Sequence, residues 1–485
     1  MHQTTTVTSV LSGLSYALDI TEGHPGGHSV RTALIGLEIG TRLGLPDDAR
    51  LDLLYALLLK DAGCSANASR VYQLFGGGEH EVKRAVWVRD WRKFTEQARY
   101  VLSYVGRGFG FTARLKKLAH LASLGPSASR ELFQLRCARG AEIALLMDMG
   151  SDVAEAIRSM DEHWDGGGHP EGLAGDRIPL YAQIIGLAQV MEIYWGLGGP
   201  REAIAVARRR GGSWFNPRLT RILSTRGRDT ALWERVARAG ESDAPPLLDR
   251  LSSSEGPVSG AALERISRAY AMIIDGKSRF TADHSRRVAQ YAVALAGRLA
   301  LSEEDVSRLE RAALVHDLGK LAVPNSILEK PGTLDEGEWE SIRRHPRITF
   351  DILQRTPGFG ELAFDAASHH ERLDGTGYHQ GLDGSSMSSS ARILAVSDVM
   401  DALAADRPYR EGMRPEVVMG ILEEGAGAHL CPMCVDACSP DLIGNRGEAS
   451  PAAPSTNSQE GTRLSTPSLQ GEAPPKATLE SAEPA

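Results

Sequence analysis

Apolar residues recur at helical spacing along most of the chain of 485 residues. The first such stretches predict helices over residues 7–20, 29–43 and 49–60, and the last of these follows the start signal Pro46-Asp-Asp48. The alternation of apolar and polar residues that indicates a half-buried strand does not extend over a useful length anywhere in the sequence. We therefore predict an all-α protein.

A second pattern repeats on a larger scale, because motifs of the first half return in the second half. At a spacing of 256 residues the matching segments are His28-Ser-Val-Arg31 with His284-Ser-Arg-Arg287 and Lys60-Asp-Ala-Gly63 with His316-Asp-Leu-Gly319. At a spacing of 209 residues they are residues 165–173 with 374–382 and residues 182–192 with 391–401. The spacings differ by 47 residues, which are extra in the first copy between about residues 65 and 160. Two constant spacings indicate a tandem duplication of one helical unit.

The second copy concentrates residues of the types that bind metals. They are His284, His316, Asp317, His345, His369, His370 and Asp398. Imidazole and carboxylate groups are ligands that first-row transition metals take, and this set exceeds the needs of one ion. We therefore predict two ions that share Asp317. Asp398 lies on the same helix face as Asp401, so one of these carboxylates would be a ligand and the other its neighbour.

Local signals place the His-Asp pair at the end of a helix. Ser302-Glu-Glu-Asp305 resembles a capping box, and apolar residues follow at helical spacing over residues 306–317. Gly319 then stops the helix and leaves Lys320 beside the pair.

The first copy has lost most of these groups. By the two spacings, Lys60 replaces His316, Gln189 replaces Asp398, Met160-Asp161 replaces His369-His370, and Cys137 is expected to replace His345. A lysine ammonium has no lone pair and carries positive charge where a cation would lie. We therefore predict a degenerate, non-catalytic first domain with a regulatory role. A separate site built from His24, His163 and His169 stays open, although surface or packing roles are the simpler interpretation.

Composition marks the borders of the domains. Residues 241–260 have the Pro, Ser and Gly content of a linker, and residues 443–485 contain no aromatic residue to support a core. These features predict a first domain over residues 1–240, a linker over 241–260, a second domain over 261–442 and a disordered tail over 443–485.

Charge and apolar content narrow the setting in which the protein works. With 54 basic and 62 acidic residues the formal net charge is -8, which does not favour nucleic acid or an anionic membrane as a partner. We find no apolar stretch long enough to span a bilayer and no secretory signal, so we expect a cytoplasmic protein. Five cysteines, an odd number, suit reduced thiols.

The motifs of the second copy together resemble those of the HD-GYP family, a branch of the HD superfamily of metal-dependent phosphohydrolases. The segments that carry the resemblance are His284-Ser-Arg-Arg-Val288, His316-Asp-Leu-Gly-Lys320, His345-Pro346, His369-His-Glu-Arg-Leu-Asp-Gly-Thr-Gly-Tyr378 and Ser397-Asp-Val-Met-Asp-Ala-Leu403 with Asp406-Arg-Pro-Tyr-Arg410. The resemblance implies two tandem HD-type helical bundles. It also implies a bacterial phosphodiesterase that opens the second messenger cyclic di-GMP to pGpG or GMP with a hydroxide activated by two metal ions.

The resemblance further assigns roles to single residues. It implies that His284, His316, Asp317 and Asp398 hold one ion, and that Asp317, His345, His369 and His370 hold the other. Lys320 and Asp317 would be catalytic, and the substrate would contact Lys320, Arg407, Arg410 and Asp401. Histidine-rich ligation with a shared carboxylate favours iron or manganese over magnesium.

Two departures from the family pattern affect these expectations. The family tripeptide Gly-Tyr-Pro reads Gly377-Tyr378-His379 here, which bears on any protein partner that docks through this loop. Phe280 stands where some members carry a glutamate ligand for a third metal, so two ions are expected. The loop or the first copy would contact a protein partner, and homodimer formation stays open. We find no helix-turn-helix after Leu442 and expect no DNA binding.

Two other functions stay open. The first is a non-catalytic sensor or scaffold that binds a nucleotide. The second is a hydrolase of another cyclic dinucleotide or nucleotide phosphate, because residues that contact phosphates do not distinguish the bases. His429, Cys431, Cys434 and Cys438 also have the spacing of a zinc knuckle, but a second ligand cluster is missing and helix packing is the preferred interpretation.

Overall fold

Helices form the regular structure of the chain and confirm the all-α prediction. The computed structural model describes residues 5–76, 79–89, 94–107, 109–124, 127–224, 230–239, 255–279, 281–330, 332–406 and 411–444. Within these ranges, extended pairing is limited to three isolated bridges. Phe280, Arg407, Arg410, most of the predicted linker and the tail from residue 445 lie outside the described residues.

The first half contains twelve of the described α-helices. They are α1 (Val7–Thr21), α2 (His28–Leu43), α3 (Asp47–Leu59), α4 (Ala68–Phe75), α5 (Glu79–Trp87), α6 (Phe94–Tyr104), α7 (Phe111–Leu124), α8 (Ser127–Leu146), α9 (Ser151–Arg158), α10 (Leu180–Arg210), α11 (Pro217–Ser224) and α12 (Thr230–Arg238). Short 3₁₀ helices cover Cys64–Asn67 and Gly175–Arg177. Helix α10 is interrupted by non-helical backbone at Gly198 and Gly199, just before Pro200.

The second half follows the same order with shorter connections. Its described α-helices are α13 (Gly260–Asp275), α14 (His284–Arg298), α15 (Glu303–Val315), α16 (Asn325–Leu328), α17 (Glu336–Arg343), α18 (His345–Gln354), α19 (Ala363–Ala367), α20 (Ser389–Ala404), α21 (Pro415–Gly425), α22 (Pro432–Asp436) and α23 (Pro440–Gly444). The 3₁₀ helices Leu318–Ala322 and Gly360–Leu362 lie between them.

Capping residues explain why the helices begin where they do. The side chain of Ser302 accepts a hydrogen bond from the backbone N–H of Asp305 at 3.2 Å, as the capping signal predicts. Helix α15 ends at Val315, so His316 occupies the C-cap and Asp317 opens the following 3₁₀ turn. The His-Asp pair therefore lies on the turn that ends the helix.

The extra residues of the first copy build a small core of their own. Helices α4 to α7 enclose a buried cluster that is separate from the main core. Its buried members are Val71, Leu74, Phe75, Val82, Ala85, Tyr100 and Val105. The insertion therefore adds a satellite core to the first copy and reaches the main core through Trp87 of α5.

The two halves share one continuous hydrophobic core, and the first helix of each half packs on both halves. Helix α1 packs on the 3₁₀ turn Leu318–Ala322 and on α18 of the second half. In the matching contact, α13 packs on the 3₁₀ turn Cys64–Asn67 and on α8 of the first half. Each half thus supports the His-Asp type turn of the other. None of the described helices has the length and apolar content required to cross a membrane.

Candidate metal centre

Five segments of the second half bring their polar side chains to one buried point. His284 begins α14, His345 begins α18, and the doublet His369-His370 follows α19. His316 and Asp317 lie on the turn after α15. The seventh side chain, from the middle of α20, is Asp398. The structure therefore gathers every residue that the sequence analysis assigned to metal binding, six of them buried and His370 half-buried.

Asp317 lies between two groups of histidines and presents one carboxylate oxygen to each. Its Oδ2 is 3.4 Å from Nε2 of His284 and 3.4 Å from Nε2 of His316. Its Oδ1 is 3.2 Å from Nε2 of His345 and 3.7 Å from Nε2 of His369. Asp398 adds Oδ1 to the first group, at 3.3 Å from Nε2 of His284. This is the arrangement expected of a carboxylate that serves two cation positions.

Backbone carbonyls fix the orientation of three of the imidazoles. Nδ1 of His316 lies 2.7 Å from the Ala313 carbonyl, and the same contact, from i to i−3, recurs for His345 at 2.6 Å and His369 at 2.7 Å. Because a carbonyl only accepts, each Nδ1 carries the proton and each Nε2 directs its lone pair into the site. Metal-binding histidines are held in this way by groups behind them.

Several of the inward-facing atoms have no hydrogen-bond partner among the described residues. They are Nε2 of His316, Nε2 of His370 and Oδ1 of Asp317. Nε2 of His345 and Nε2 of His369 face each other at 3.1 Å, although each imidazole uses its proton on the opposite side. Buried lone pairs without donors are costly, so the residues fit bound cations.

Burial and neighbouring groups shift the pKa values of the aspartates and histidines at the site. Burial would raise the pKa of Asp317, but its electrostatic interactions with His316 and Lys320 hold it well below its usual value. Burial also lowers the pKa of His370 to about 3, and it brings the pKa of His369 well below its ordinary value. The carboxylates are therefore ionised and these two imidazoles neutral, which are the forms that bind metals.

Asp401 supports the site from behind instead of facing it. It accepts the proton of His284 Nδ1 at 2.7 Å and a bidentate contact from Arg287 at 2.6 and 2.9 Å. Both oxygens are occupied and the side chain is buried, an arrangement that orients His284, while the predicted contact of Asp401 with the substrate stays a prediction. The sequence analysis overlooked Arg287, although its position three residues after His284 on one helix face was a usable signal.

A glycine and a threonine hold the His-Asp turn against α18. A Cβ on Gly319 would lie 2.0 Å from the carbonyl oxygen of His345, so only glycine allows this approach. Thr349 donates to the carbonyl of His316 at 3.0 Å and accepts from the N–H of Gly319 at 2.8 Å. Two ligand-bearing segments are thereby locked together. Thr349 has no motif in the sequence that would have revealed it.

Lys320 extends from the same turn toward the shared carboxylate. Its Nζ lies 2.7 Å from Oδ2 of Asp317, and the residue is buried. An ammonium at this point is placed to contact an anionic group that enters the site.

The loop after the histidine doublet folds back over the site. Gly377 packs so closely on the backbone of residues 370–372 that a Cβ would approach it to about 2.5 Å. The ring of Tyr378 stacks on His370 with centroids 4.8 Å apart, and His379 lies 6.4 Å from the ring of Phe350. Glu371 closes the loop by accepting from the N–H groups of Gln380 and Leu382. This loop therefore borders the second group of histidines.

The same place in the first half is filled by the protein's own cations. Lys60 contacts Nε2 of His28 at 3.1 Å and pairs with Asp61. The backbone oxygen that lies against Gly63 belongs to Arg136, just as that of His345 lies against Gly319. Arg136, and not Cys137 as expected, is therefore the counterpart of His345, because the spacing of 209 residues already applies at this point. Arg136 pairs with Asp161, the counterpart of His370.

Other charges in the first site are compensated as well. Nδ1 of His28 lies 2.5 Å from Glu192, which also accepts from Arg31 at 2.7 Å, in the manner of His284, Asp401 and Arg287. Lys83 donates to Glu22 at 2.8 Å. Burial would raise the pKa of Asp61, but Lys60 holds it below its usual value. Glu22, Asp61 and Cys64 do lie within reach of one another, but lysines already neutralise these acids.

The other candidate sites from the sequence are not assembled among the described residues. His24 stacks on His28, His163 on Trp214, and His169 on Phe133. Cys431, Cys434 and Cys438 are buried, and they form no group of three metal ligands with His429 in the described part of the chain. These residues have packing contacts instead.

Comparisons with known proteins agree with this geometry. The family model described as HD domain matches residues 110–219 and 268–432. The chain is 37% identical over 435 residues to the 3'3'-cGAMP-specific phosphodiesterase 3 of Vibrio cholerae, covering 89% of this chain and 93% of the relative. It is 40% identical over 193 residues to the cyclic di-GMP phosphodiesterase response regulator of Xanthomonas campestris, covering 39% of this chain and 51% of the relative.

A solved structure covers nearly the whole chain. The crystal structure of a cyclic GMP-AMP-specific phosphodiesterase of Vibrio cholerae superposes with a TM-score of 0.60 at 33% identity, over 91% of this chain and 98% of that one. With the seven converging side chains, these matches identify the chain as a member of the HD-domain family and a metal-dependent phosphohydrolase.

Proposed function

We propose that the second half hydrolyses a cyclic dinucleotide with two bound transition-metal ions, iron or manganese. The observation that carries the proposal is the shared carboxylate of Asp317, with His284 and His316 on one oxygen and His345 and His369 on the other. When bound, such ions would lower the pKa of water and neutralise charge on the phosphodiester.

The residues of the chain have distinct tasks in this proposal. The carbonyls behind His316, His345 and His369 keep each Nδ1 protonated, so that each Nε2 stays free to bind. Lys320 holds positive charge beside Asp317 and would contact a non-bridging phosphate oxygen. Arg407 and Arg410 remain proposed phosphate contacts, because a guanidinium makes bidentate contacts with phosphate.

For the substrate we propose 3'3'-cGAMP ahead of the cyclic di-GMP that the sequence analysis favoured. The relative that is covered over 93% of its length, and thus over both halves, is specific for 3'3'-cGAMP. Relatives named for cyclic di-GMP match over shorter segments of the chain, as the one from Xanthomonas campestris does over 193 residues. The preference rests on this difference in coverage.

A competition assay tests both levels of the proposal. Purified protein loaded with iron or manganese receives equal amounts of 3'3'-cGAMP and cyclic di-GMP, and the linear products are separated by chromatography. We expect faster loss of 3'3'-cGAMP. Preference for cyclic di-GMP would reverse the substrate order and leave the phosphodiesterase in place. Tight binding of both without any product would favour the non-catalytic sensor instead.

For the first half we propose a non-catalytic role over residues 1–240. Lys60 and Arg136 supply the positive charge that metals would bring, and Asp61 and Asp161 already balance them. A buried site whose charged side chains are already paired is poorly suited to hold a metal ion or a phosphate. Its contribution to the second half would pass through α1, which packs on the turn Leu318–Ala322.

A further inference from the structure

Cys431 and Cys434 lie on one turn that is connected to the loop bordering the metal centre, residues 371–384. Cys431 caps α22, and its carbonyl accepts the N–H of Cys434 at 3.0 Å. A turn closed by such a bond keeps its outer Cα atoms within about 7 Å, which overlaps the span of about 4.4–6.8 Å that disulfides bridge. Met433 between them is 66% exposed, whereas the two cysteines are buried directly beneath.

The surroundings of Cys431 lower the pKa of its thiol. Burial would raise the pKa of Cys431, but the backbone N–H and thiol of Cys434 and the Arg392 guanidinium hold it below its ordinary value. Burial raises the pKa of Cys434, which therefore remains a thiol. The pair thus combines a nucleophilic sulfur with a protonated neighbour, the division of roles found in thiol–disulfide exchange.

The first half shows that the fold does not require a thiol here. The bridge between Gly211 and Phe215 matches the one between Ala426 and Leu430, so Asn216 is the counterpart of Cys431. Asn216 donates to Gln183 at 2.9 Å, and Gln183 is the counterpart of Arg392 at the spacing of 209 residues. A neutral amide pair in one half is thus replaced by a thiol and a guanidinium in the other.

Arg392 and the segment before Cys431 connect this turn to the loop that starts at the histidine doublet. The N–H groups of Leu373 and Asp374 donate to the carbonyls of His429 and Ala428, at 3.2 and 2.9 Å. Arg392 donates to the carbonyl of Gly384, whose own N–H donates to Leu373 at 2.9 Å. A change at Cys431 therefore reaches the loop through Arg392 and through the backbone.

We propose that Cys431 and Cys434 are a reversible redox site, oxidised to a disulfide by small-molecule disulfides, and that the bond loosens the loop over residues 371–384. The thiolate of Cys431 attacks the small disulfide, forms a mixed disulfide and releases one thiolate. Cys434 then loses its proton, attacks the sulfur of Cys431 and releases the second thiol. Two protein thiols are oxidised and one small disulfide is reduced to two thiols. The disulfide also removes the ionisable thiol that interacts with Arg392.

The redox site is tested first by detecting the disulfide itself, which does not require hydrolytic activity. The metal-loaded full chain is incubated with oxidised glutathione, alkylated and mapped by peptide mass. We expect a peptide with Cys431 and Cys434 joined, lighter than the reduced peptide by two hydrogens and restored by dithiothreitol. Cys438→Ser, which removes a third thiol from the same segment, should leave this product unchanged, whereas Arg392→Gln should slow its formation several-fold. Free, alkylated thiols at both positions in the oxidised wild type would overturn the proposal.

The effect of the disulfide on the loop is tested by measuring hydrolysis, so this test rests on the proposed function. Oxidation should lower cyclic dinucleotide hydrolysis several-fold and dithiothreitol should restore it. Cys431→Asp keeps an anion beside Arg392 and should be active and insensitive to oxidised glutathione. An enzyme that forms the disulfide and keeps full activity would overturn the control of the loop. Absence of hydrolysis in the reduced protein would instead count against the proposed function, while the peptide map still decides the redox site.

Discussion

The two halves of this protein surround equivalent aspartates with different side chains. Asp317 faces four imidazoles, whereas Asp61 pairs with the ammonium of Lys60, which also contacts His28. Behind both, the same support recurs, with Asp401 or Glu192 joining the first histidine to an arginine. In the first half side chains supply positive charge beside the aspartate, whereas under the proposed function metal ions would supply it in the second half.

The largest expected effect is a loss of hydrolytic activity when the shared aspartate of the second half is replaced. Asp317→Asn removes the shared carboxylate, and the loss of several kcal/mol of metal-assisted stabilisation corresponds to about a thousandfold in turnover. Metal content and hydrolysis should fall together. The matched variant Asp61→Asn should keep the metal content of the wild type. Metal loss in Asp61→Asn, or full activity in Asp317→Asn, would remove the distinction between the halves.

The next effect concerns stability in the first half. Lys60→Met leaves Asp61 buried without its partner, which should lower the free energy of unfolding by about 3–5 kcal/mol. Urea unfolding followed by circular dichroism measures the change. The double variant Lys60→Met with Asp61→Asn should recover a large part of the loss, because it leaves no unpaired charge. A single variant as stable as the wild type would show that Lys60 does not act as the substitute cation.

A smaller effect should distinguish the supports behind the two sites. Asp401→Asn weakens the hold on His284 and should reduce metal affinity about 10–100-fold, measured by titration with manganese. Glu192→Gln alters the same position in the first half and should leave metal affinity unchanged. Equal effects of the two variants would mean that the halves bind metal alike.

The sequence predicted most of the fold because helical spacing and capping residues are local signals. Helices α1, α2 and α3 begin within two residues of their predicted starts. The convergence of the seven side chains was predictable because their motifs repeat a known family pattern, and the family was confirmed, whereas their role as metal ligands stays a prediction. The counterpart of His345 was misplaced by one residue, since no motif surrounds Arg136 in the sequence.

What the sequence did not reveal depends on contacts between distant segments. The contact between Asp401 and Arg287 was not predicted, because the spacing of Asp401 from Asp398 says nothing about a residue that is 114 positions away. The carbonyls that orient His316, His345 and His369 belong to the backbone and have no residue type. The close approach at Gly319 likewise needs the packing of α18 to be known.

The reciprocal packing of α1 and α13 has a consequence for a cell that runs short of transition metals. When the ions leave the second half, its ionised carboxylates lose their counter-charge, but the first half keeps Lys60 and Arg136 whatever the supply. Because α1 packs on the turn that bears Lys320, the second half without its ions would keep its contacts with the first half, whose charges do not depend on metals. We expect the metal-free protein to stay folded and to bind ions again when the supply returns, without new synthesis.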